Sequence, residues 1–353
     1  MLRNVLSSGT VEGVPDPPSA ISVLDRRLKR FLISGILLLT AGYTFLDYWE
    51  YSRVQHADPQ TWALLVSGRG LAPAQYRIGV YFTANFFAQL THLQLRHVFA
   101  VSDLLYTGLA LACIFYPLTR MPWFRRASLP AQWAQALLAL LLVQVYLVWT
   151  LWFQEPETMP SLAILAVSGL LCSGLIRVPK PMLAVWLLLL AVLGATIRVD
   201  VVLAFYAGML AACLVSRRDA ESKTWLVATS VVAIMAALGI ERFIAHNLFL
   251  SAERSAPLFQ LIGNLESVNG VLALLSTMPA WVLTVWLASR SWTALPVWLR
   301  GLVLGSVVHF AMFMAFGMSE EVRIFLPFTL TLAPLSAALL YQWLAGEGAT
   351  LPN

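Results

Sequence analysis

The chain has 353 residues, 59% hydrophobic and 12% charged, with a mean hydropathy of +0.75, against roughly 45–50% apolar and 25% charged in soluble domains. Ten bilayer crossings of roughly 20 residues each would take about 200 apolar residues, and 59% of 353 is about 208, so a large soluble domain is excluded. The formal charge of +5 is spread over short loops that read as topology signals, which excludes nucleic-acid binding.

Residues 1–30 form a basic N-terminal tail, too long and too acidic (Glu12, Asp16, Asp25) for a signal-peptide leader, so the first apolar segment is expected to stay as an anchor. Spanning segments are predicted at about 31–46, 98–119, 131–153, 161–176, 181–197, 199–215, 225–240, 269–289, 299–317 and 324–344. The stretch 181–215 is too long for one crossing and is interrupted by Ile197-Arg198-Val199-Asp200, which predicts a hairpin whose charged tip stops at the interface. The expected fold is all-α: a polytopic bundle of about ten transmembrane helices, N-in and C-in. A single transmembrane domain then covers 31–344, and a cytoplasmic tail covers 345–353.

Orientation follows from the basic residues. With the N-terminus inside, fifteen of the 23 Lys and Arg fall on the cytoplasmic side and twelve of the 18 acids on the outer side. The two longest connections, 47–97 and 241–268, are then external. In the first, Asn85, Gln89, His92 and Arg96 recur at helical spacing among Tyr81, Phe82, Phe86, Phe87, Leu90 and Leu93, which predicts an amphipathic helix lying on the membrane over about 75–96.

Chemistry is expected on this outer face. Asp47 directly follows the first segment in Phe45-Leu46-Asp47-Tyr48-Trp49-Glu50-Tyr51, and a continued helix would put Asp47 and Glu50 on one face. A partly desolvated carboxylate in such a place suits a general base. Three acid-base pairs mark the outer ends of later helices: Arg198 with Asp200, Glu241 with Arg242, and Glu321 with Arg323. With Arg77 they make a set of arginines whose planar forks suit a phosphate group. The five histidines, His309 inside the ninth helix among them, are read as packing or interface residues. Cys113, Cys172 and Cys213 all lie in apolar runs and read as packed thiols. No phosphate loop, nucleophile elbow or His-Glu-x-x-His motif is present.

The order of these features resembles a known family. A first helix ending in Asp47 is followed by Ala74-Gln75-Tyr76-Arg77-Ile78, an Arg-x-Asp at Arg198 and Asp200, and Ser319-Glu320-Glu321-Val322-Arg323-Ile324-Phe325-Leu326-Pro327 late in the chain. This layout is similar to that of the bacterial multi-pass proteins related to the GT-C glycosyltransferases, which take sugars from polyprenyl-phosphate carriers on the outer side of the inner membrane. The resemblance implies that Asp47, assisted by Glu50, deprotonates an acceptor hydroxyl. Tyr76, Arg77, Arg198 and Arg323, with Asp200 and Glu321, are the residues expected around the lipid phosphate. The partners implied are the bilayer, a polyprenyl-phosphate-linked sugar donor and a glycan, lipid or protein acceptor. No cofactor is expected; the outer acids leave a divalent cation open, but their spacing matches no ligand motif. The other readings are a polysaccharide polymerase or ligase acting on lipid-linked glycans, and a lipid transporter or envelope scaffold.

Overall fold

The computed structural model describes residues 25–58, 60–72, 74–149, 155–176, 178–216, 220–249, 259–316 and 325–345. Among these the protein is helical throughout. In chain order the helices are α1 (Arg26–Ala57), α2 (Thr61–Val66), α3 (Ile78–Thr91), α4 (Leu95–Leu118), α5 (Pro122–Arg126), α6 (Leu129–Trp149) and α7 (Thr158–Cys172). There follow α8 (Lys180–Val215), α9 (Ala220–Phe243), α10 (Leu261–Glu266), α11 (Val268–Arg290), α12 (Val297–Phe316) and α13 (Leu326–Leu344). By length and composition, six helices are long and apolar enough to cross a membrane, and a seventh is added if the bent α11 is one span. The α11 bend of 43° falls between Val268–Ser276 and Met278–Arg290, beside Pro279, which cannot donate to the carbonyl four residues back.

Local chemistry accounts for several boundaries. The Asp25 carboxylate accepts from the Arg27 amide at 3.1 Å and Ser267 Oγ from the Gly270 amide at 3.2 Å, so both α1 and α11 begin on capped ends. Nothing breaks the helix at Asp47, and α1 runs eleven residues past the expected end at 46. The interfacial helix is shorter than expected: α3 stops at Thr91, where His92 takes a left-handed conformation (φ 57°), and Arg96 belongs to the first turn of α4.

The predicted hairpin is present within α8. Helical geometry fails at one residue, Arg198 (φ −150°, ψ 92°), and the Tyr206 hydroxyl donates to the Leu187 carbonyl at 2.6 Å. In a straight helix those residues would stand about 28 Å apart, so the two arms run back along one another. A Cβ on Gly194 would fall 2.5 Å from Val202 Cγ2, which shows how close the arms lie.

α7 and α13 are buried on nearly every side, while α1 turns Leu37, Leu38, Phe45 and Trp49 outward at 59–74% exposure. An exposed apolar face of this kind is what lipid tails cover. α8 packs on α9 and α12, α4 on α1 and α7, and α13 on α6, α7 and α11. The closest crossing is α8 on α12, where a Cβ at Gly208 would run into the backbone of Gly301 and Gly305. Gly301 and Gly305, four residues apart, remove the side chains that would hold the helices apart. Gly208→Ala is therefore expected to destabilise the bundle by about 1–3 kcal/mol, since neither backbone can move aside. Gly42→Ala, on an exposed face with nothing within 4 Å of the added atom, should not lower the unfolding temperature in detergent; equal losses in both variants would refute this crossing.

Candidate functional site

The continuation of α1 puts Thr40, Tyr43, Asp47, Glu50 and Tyr51 on one buried stripe. That stripe faces the first turns of α4, where Phe99, Asp103 and Thr107 are likewise buried. The Tyr51 hydroxyl donates to Asp103 Oδ2 at 2.6 Å, and its ring packs on Trp62 of α2 and on Phe99, with centroids 5.6 and 5.7 Å away. Asp47 is wholly sealed, at 0% exposure. Its charged neighbours are Asp103 and Glu50, and the Tyr43 hydroxyl is directed at it, though neither carboxylate oxygen meets a donor in full hydrogen-bonding geometry. Glu50 is taken by Arg53, with contacts of 2.5 and 2.8 Å.

A second group forms where the connection into α3 meets the start of α7. Arg77 Nη1 donates to Glu155 Oε2 at 2.5 Å and also to Glu157 Oε1. The Tyr81 hydroxyl donates to the other Glu157 oxygen at 3.2 Å. Burial opposes the charge on Arg77, but Glu157, Glu155 and Asp200 outweigh it and hold the guanidinium above its ordinary range. Burial, then Glu157 and Glu155, push the Tyr81 phenol upward. Glu157 also suits its place as the residue before α7, because an acid at a helix N-terminus faces unpaired amides. Tyr76 is half-buried in the short turn Ala74–Tyr76 that delivers Arg77.

The third group is the α8 tip. Arg198 grips Asp200 through Nη2 to Oδ2 at 2.5 Å and Nε to Oδ1 at 3.3 Å. His309 Nε2 meets the same Oδ2 at 3.1 Å. The His309 ring stacks near Phe313 and Phe328, and Arg198 lies over Phe313. Glu241 sits within electrostatic reach of Asp200, and Arg242 is exposed.

These groups share one end of the bundle. The Tyr81 ring meets Phe99 at 6.2 Å, which connects the first group to the second. Gly79 lets α3 sit directly on Thr196 and Ile197 beside the α8 tip, which connects the second to the third. Phe249, at the start of the other long connection, packs on Phe82. Every Asp, Glu, Arg and His side chain buried among the described residues, namely Asp47, Glu50, Asp103, Glu157, Arg198 and His309, lies at this end. A cavity of about 30 Å³, lined by Cys113, Pro117, Trp123, Gly169, Trp298 and Pro334 among others, lies toward the other end of α4.

Of the residues expected from the sequence, Asp47 and Glu50 share a face, and Arg198 and Asp200 pair as expected. Arg77 and Arg198 are both engaged by carboxylates rather than standing free. Glu321 and Arg323, with most of the late motif, lie outside the described residues. The sequence reading missed Glu155 and Glu157 as partners of Arg77. Their signal was two acids immediately before an apolar helix, opposite a buried arginine. It also took His309 for a packing residue and gave Asp103 no role. Among the described residues no group of three or more His, Cys, Asp and Glu could hold a metal ion.

No family model, curated protein or solved structure matches the chain. The geometry of the second group has a direct consequence. Arg77→Ala would strand Glu157, 2% exposed, without its cation, and is expected to cost roughly 3–5 kcal/mol. Arg242→Ala removes an exposed side chain that forms no ion pair among the described residues and should change little. Thermal unfolding of both variants in one detergent checks this ordering, and equal losses would contradict it.

Proposed function

We propose that the protein is an integral membrane glycosyltransferase that moves a sugar from a polyprenyl-phosphate-linked donor to a glycan, lipid or protein acceptor. The reading places it in the bacterial inner membrane as a ten-crossing, N-in and C-in bundle, with its site on the extracytoplasmic face. The observation that carries it is the gathering of every buried Asp, Glu, Arg and His side chain of the described residues at one end of the bundle. A carrier lipid presents its phosphate at that depth, in the headgroup layer, and an acceptor reaches it from outside.

In this reading Asp47 takes the proton of an acceptor hydroxyl. The acceptor oxygen forms its bond to the anomeric carbon while the bond from that carbon to the carrier phosphate breaks, and the phosphate leaves with the bond's electron pair. Positive groups aimed at that phosphate stabilise the charge that builds there. Arg77 and Arg198 are held by Glu155, Glu157 and Asp200, so they contribute as pre-oriented, already balanced guanidiniums, and Arg323 is the remaining arginine of the motif set. Asp47 is sealed beneath Tyr51, whose ring Trp62 covers, and substrate access requires α2 to lift.

Coupled transport is the second reading, favoured by the buried carboxyl groups Asp47 and Asp103 between α1 and α4. Against it, a transport path needs ionisable groups along the bundle, and the Asp, Glu, Arg and His side chains buried among the described residues stop at one end. The deciding experiment incubates the purified protein with a polyprenyl-phosphate hexose and a lipid-linked acceptor. Sugar transfer is expected, and Asp47→Asn should lower it by at least about 100-fold, the scale of a lost general base, while the variant still folds. Transfer at the wild-type rate in Asp47→Asn would eliminate the assigned base, and no transfer by a folded wild type would eliminate the reading.

A further inference from the structure

The side chains that α1 and α4 turn toward each other form a polar seam of which the proposed reaction uses Asp47 alone. α1 supplies Thr40, Thr44 and Asp47, and α4 supplies Asp103 and Thr107, each set at the spacing of one helix face. Thr40, Asp47, Asp103 and Thr107 are 6%, 0%, 1% and 0% exposed. The helices approach closely here, since a Cβ on Gly108 would meet Thr40 Cγ2 at 3.6 Å.

The oxygens of this seam are unmet. Thr40 Oγ1, Thr44 Oγ1, both Asp47 carboxylate oxygens, Asp103 Oδ1 and Thr107 Oγ1 are shut away from solvent without a hydrogen-bond partner. A threonine inside a helix commonly bonds back to the carbonyl one turn earlier, and Thr229, Thr284, Thr329 and Thr331 do so in this protein. The three seam threonines do not. The carboxyl groups are also uncompensated: among the described residues neither Asp47 nor Asp103 has a basic side chain within 4.0 Å. Of the arginines at this end, Arg53, Arg77 and Arg198 are committed to Glu50, to Glu155 and Glu157, and to Asp200, and Arg96 lies over the Tyr48 ring.

Buried polar atoms are ordinarily paired, and a set left unpaired calls for an occupant. The set here consists of carboxylate and hydroxyl oxygens alone, which suits a small hard cation. We propose that the α1–α4 seam binds a monovalent cation of sodium size at Asp47 and Asp103, with the hydroxyls of Thr107 and Thr44 on its inward side. No third carboxylate joins the set among the described residues, so it lacks the charge of an all-protein site for a divalent ion, and neutral hydroxyls complete the shell of a singly charged one. Occupancy would hold α1 against α4 and balance the charge beside Asp47. The site does not rest on the glycosyltransferase reading, because Asp103, Thr107 and Thr44 take no part in the transfer.

The test is thermal unfolding of the purified full chain in detergent, with NaCl exchanged for KCl, N-methylglucamine chloride or MgCl₂ at constant ionic strength. The midpoint is expected to rise with the logarithm of Na⁺ concentration, as for any ligand of the folded state, and to stay flat in K⁺ and N-methylglucamine. The Na⁺ response should vanish in Asp103→Asn and weaken in Thr107→Val. Thr107→Val removes only a buried hydroxyl that has no partner, so it keeps the test open if Asp103→Asn does not fold. A wild-type midpoint indifferent to Na⁺, a Na⁺ response retained in the variants, or a response to Mg²⁺ at far lower concentration would each overturn the proposal. A Na⁺ response in a protein that transfers no sugar would leave the cation site and remove the enzyme. Transfer without a Na⁺ response would do the reverse.

Discussion

The arrangement of the charged end depends on one carboxylate. Asp200 Oδ2 receives both Arg198 Nη2 and His309 Nε2, at 2.5 and 3.1 Å, and so fastens the tip of the α8 hairpin to α12. α3 then rests on that tip through Gly79, and Arg77, leading into α3, reaches across to Glu155 and Glu157 before α7. Tyr81 and Phe99 carry the contact on to Tyr51 and α1. Removing the Asp200 carboxylate would leave a guanidinium that is 3% exposed without a partner, and the order of the whole end would be lost with it.

Such a network is a poor source of net stability. Two charges taken out of water recover by mutual attraction about what desolvation costs them, and an apolar replacement of the same shape often does as well. What the ion pairs at Arg77 and Arg198 supply is a fixed geometry: the tip, the interfacial helix and the start of α7 can meet in only one register. Asp47 and Asp103 are different. They have the desolvation without the compensation, and sites of that kind persist where a function holds them in place.

The parts of the fold that were legible in the sequence were those in which one residue violates its surroundings. Arg198 and Asp200 cannot sit in the middle of a 36-residue apolar stretch, so the hairpin could be read directly, and Tyr206 on Leu187 matches it. The end of α1 was misread for a related reason: Asp47 was taken as the mark of an interface, although α1 buries it and continues to Ala57. The stripe of Tyr43, Asp47, Glu50 and Tyr51 at helical spacing was the better signal. Partners distant in sequence, such as Glu157 for Arg77 and His309 for Asp200, left no periodic trace, because pairing across 80 or 109 residues is decided by packing.

The central helices α7 and α13 are as apolar overall as the helices at the rim, but they turn that character to one another rather than to lipid. Helices that face lipid must be apolar on their outer surface, and α1 and the first arm of α8 expose rows of Leu, Val and Trp. α7 and α13 touch other helices almost all round, so Ser, Thr and Pro can take places that lipid would penalise, provided their polar atoms are met by neighbours. α7 has only 15 residues, and α13 carries Pro334 and pairs Ser336 Oγ with Thr284 Oγ1 of α11 at 2.8 Å. Both overlap segments expected to span, 161–176 and 324–344, and both are central to the packing. The tolerance that permits these polar atoms at the centre extends to the charged end, where Glu157 precedes α7 and Phe328 of α13 backs His309. The remaining buried charges sit on α1, α4, the α8 tip and α12, on the faces those helices turn to protein rather than to lipid.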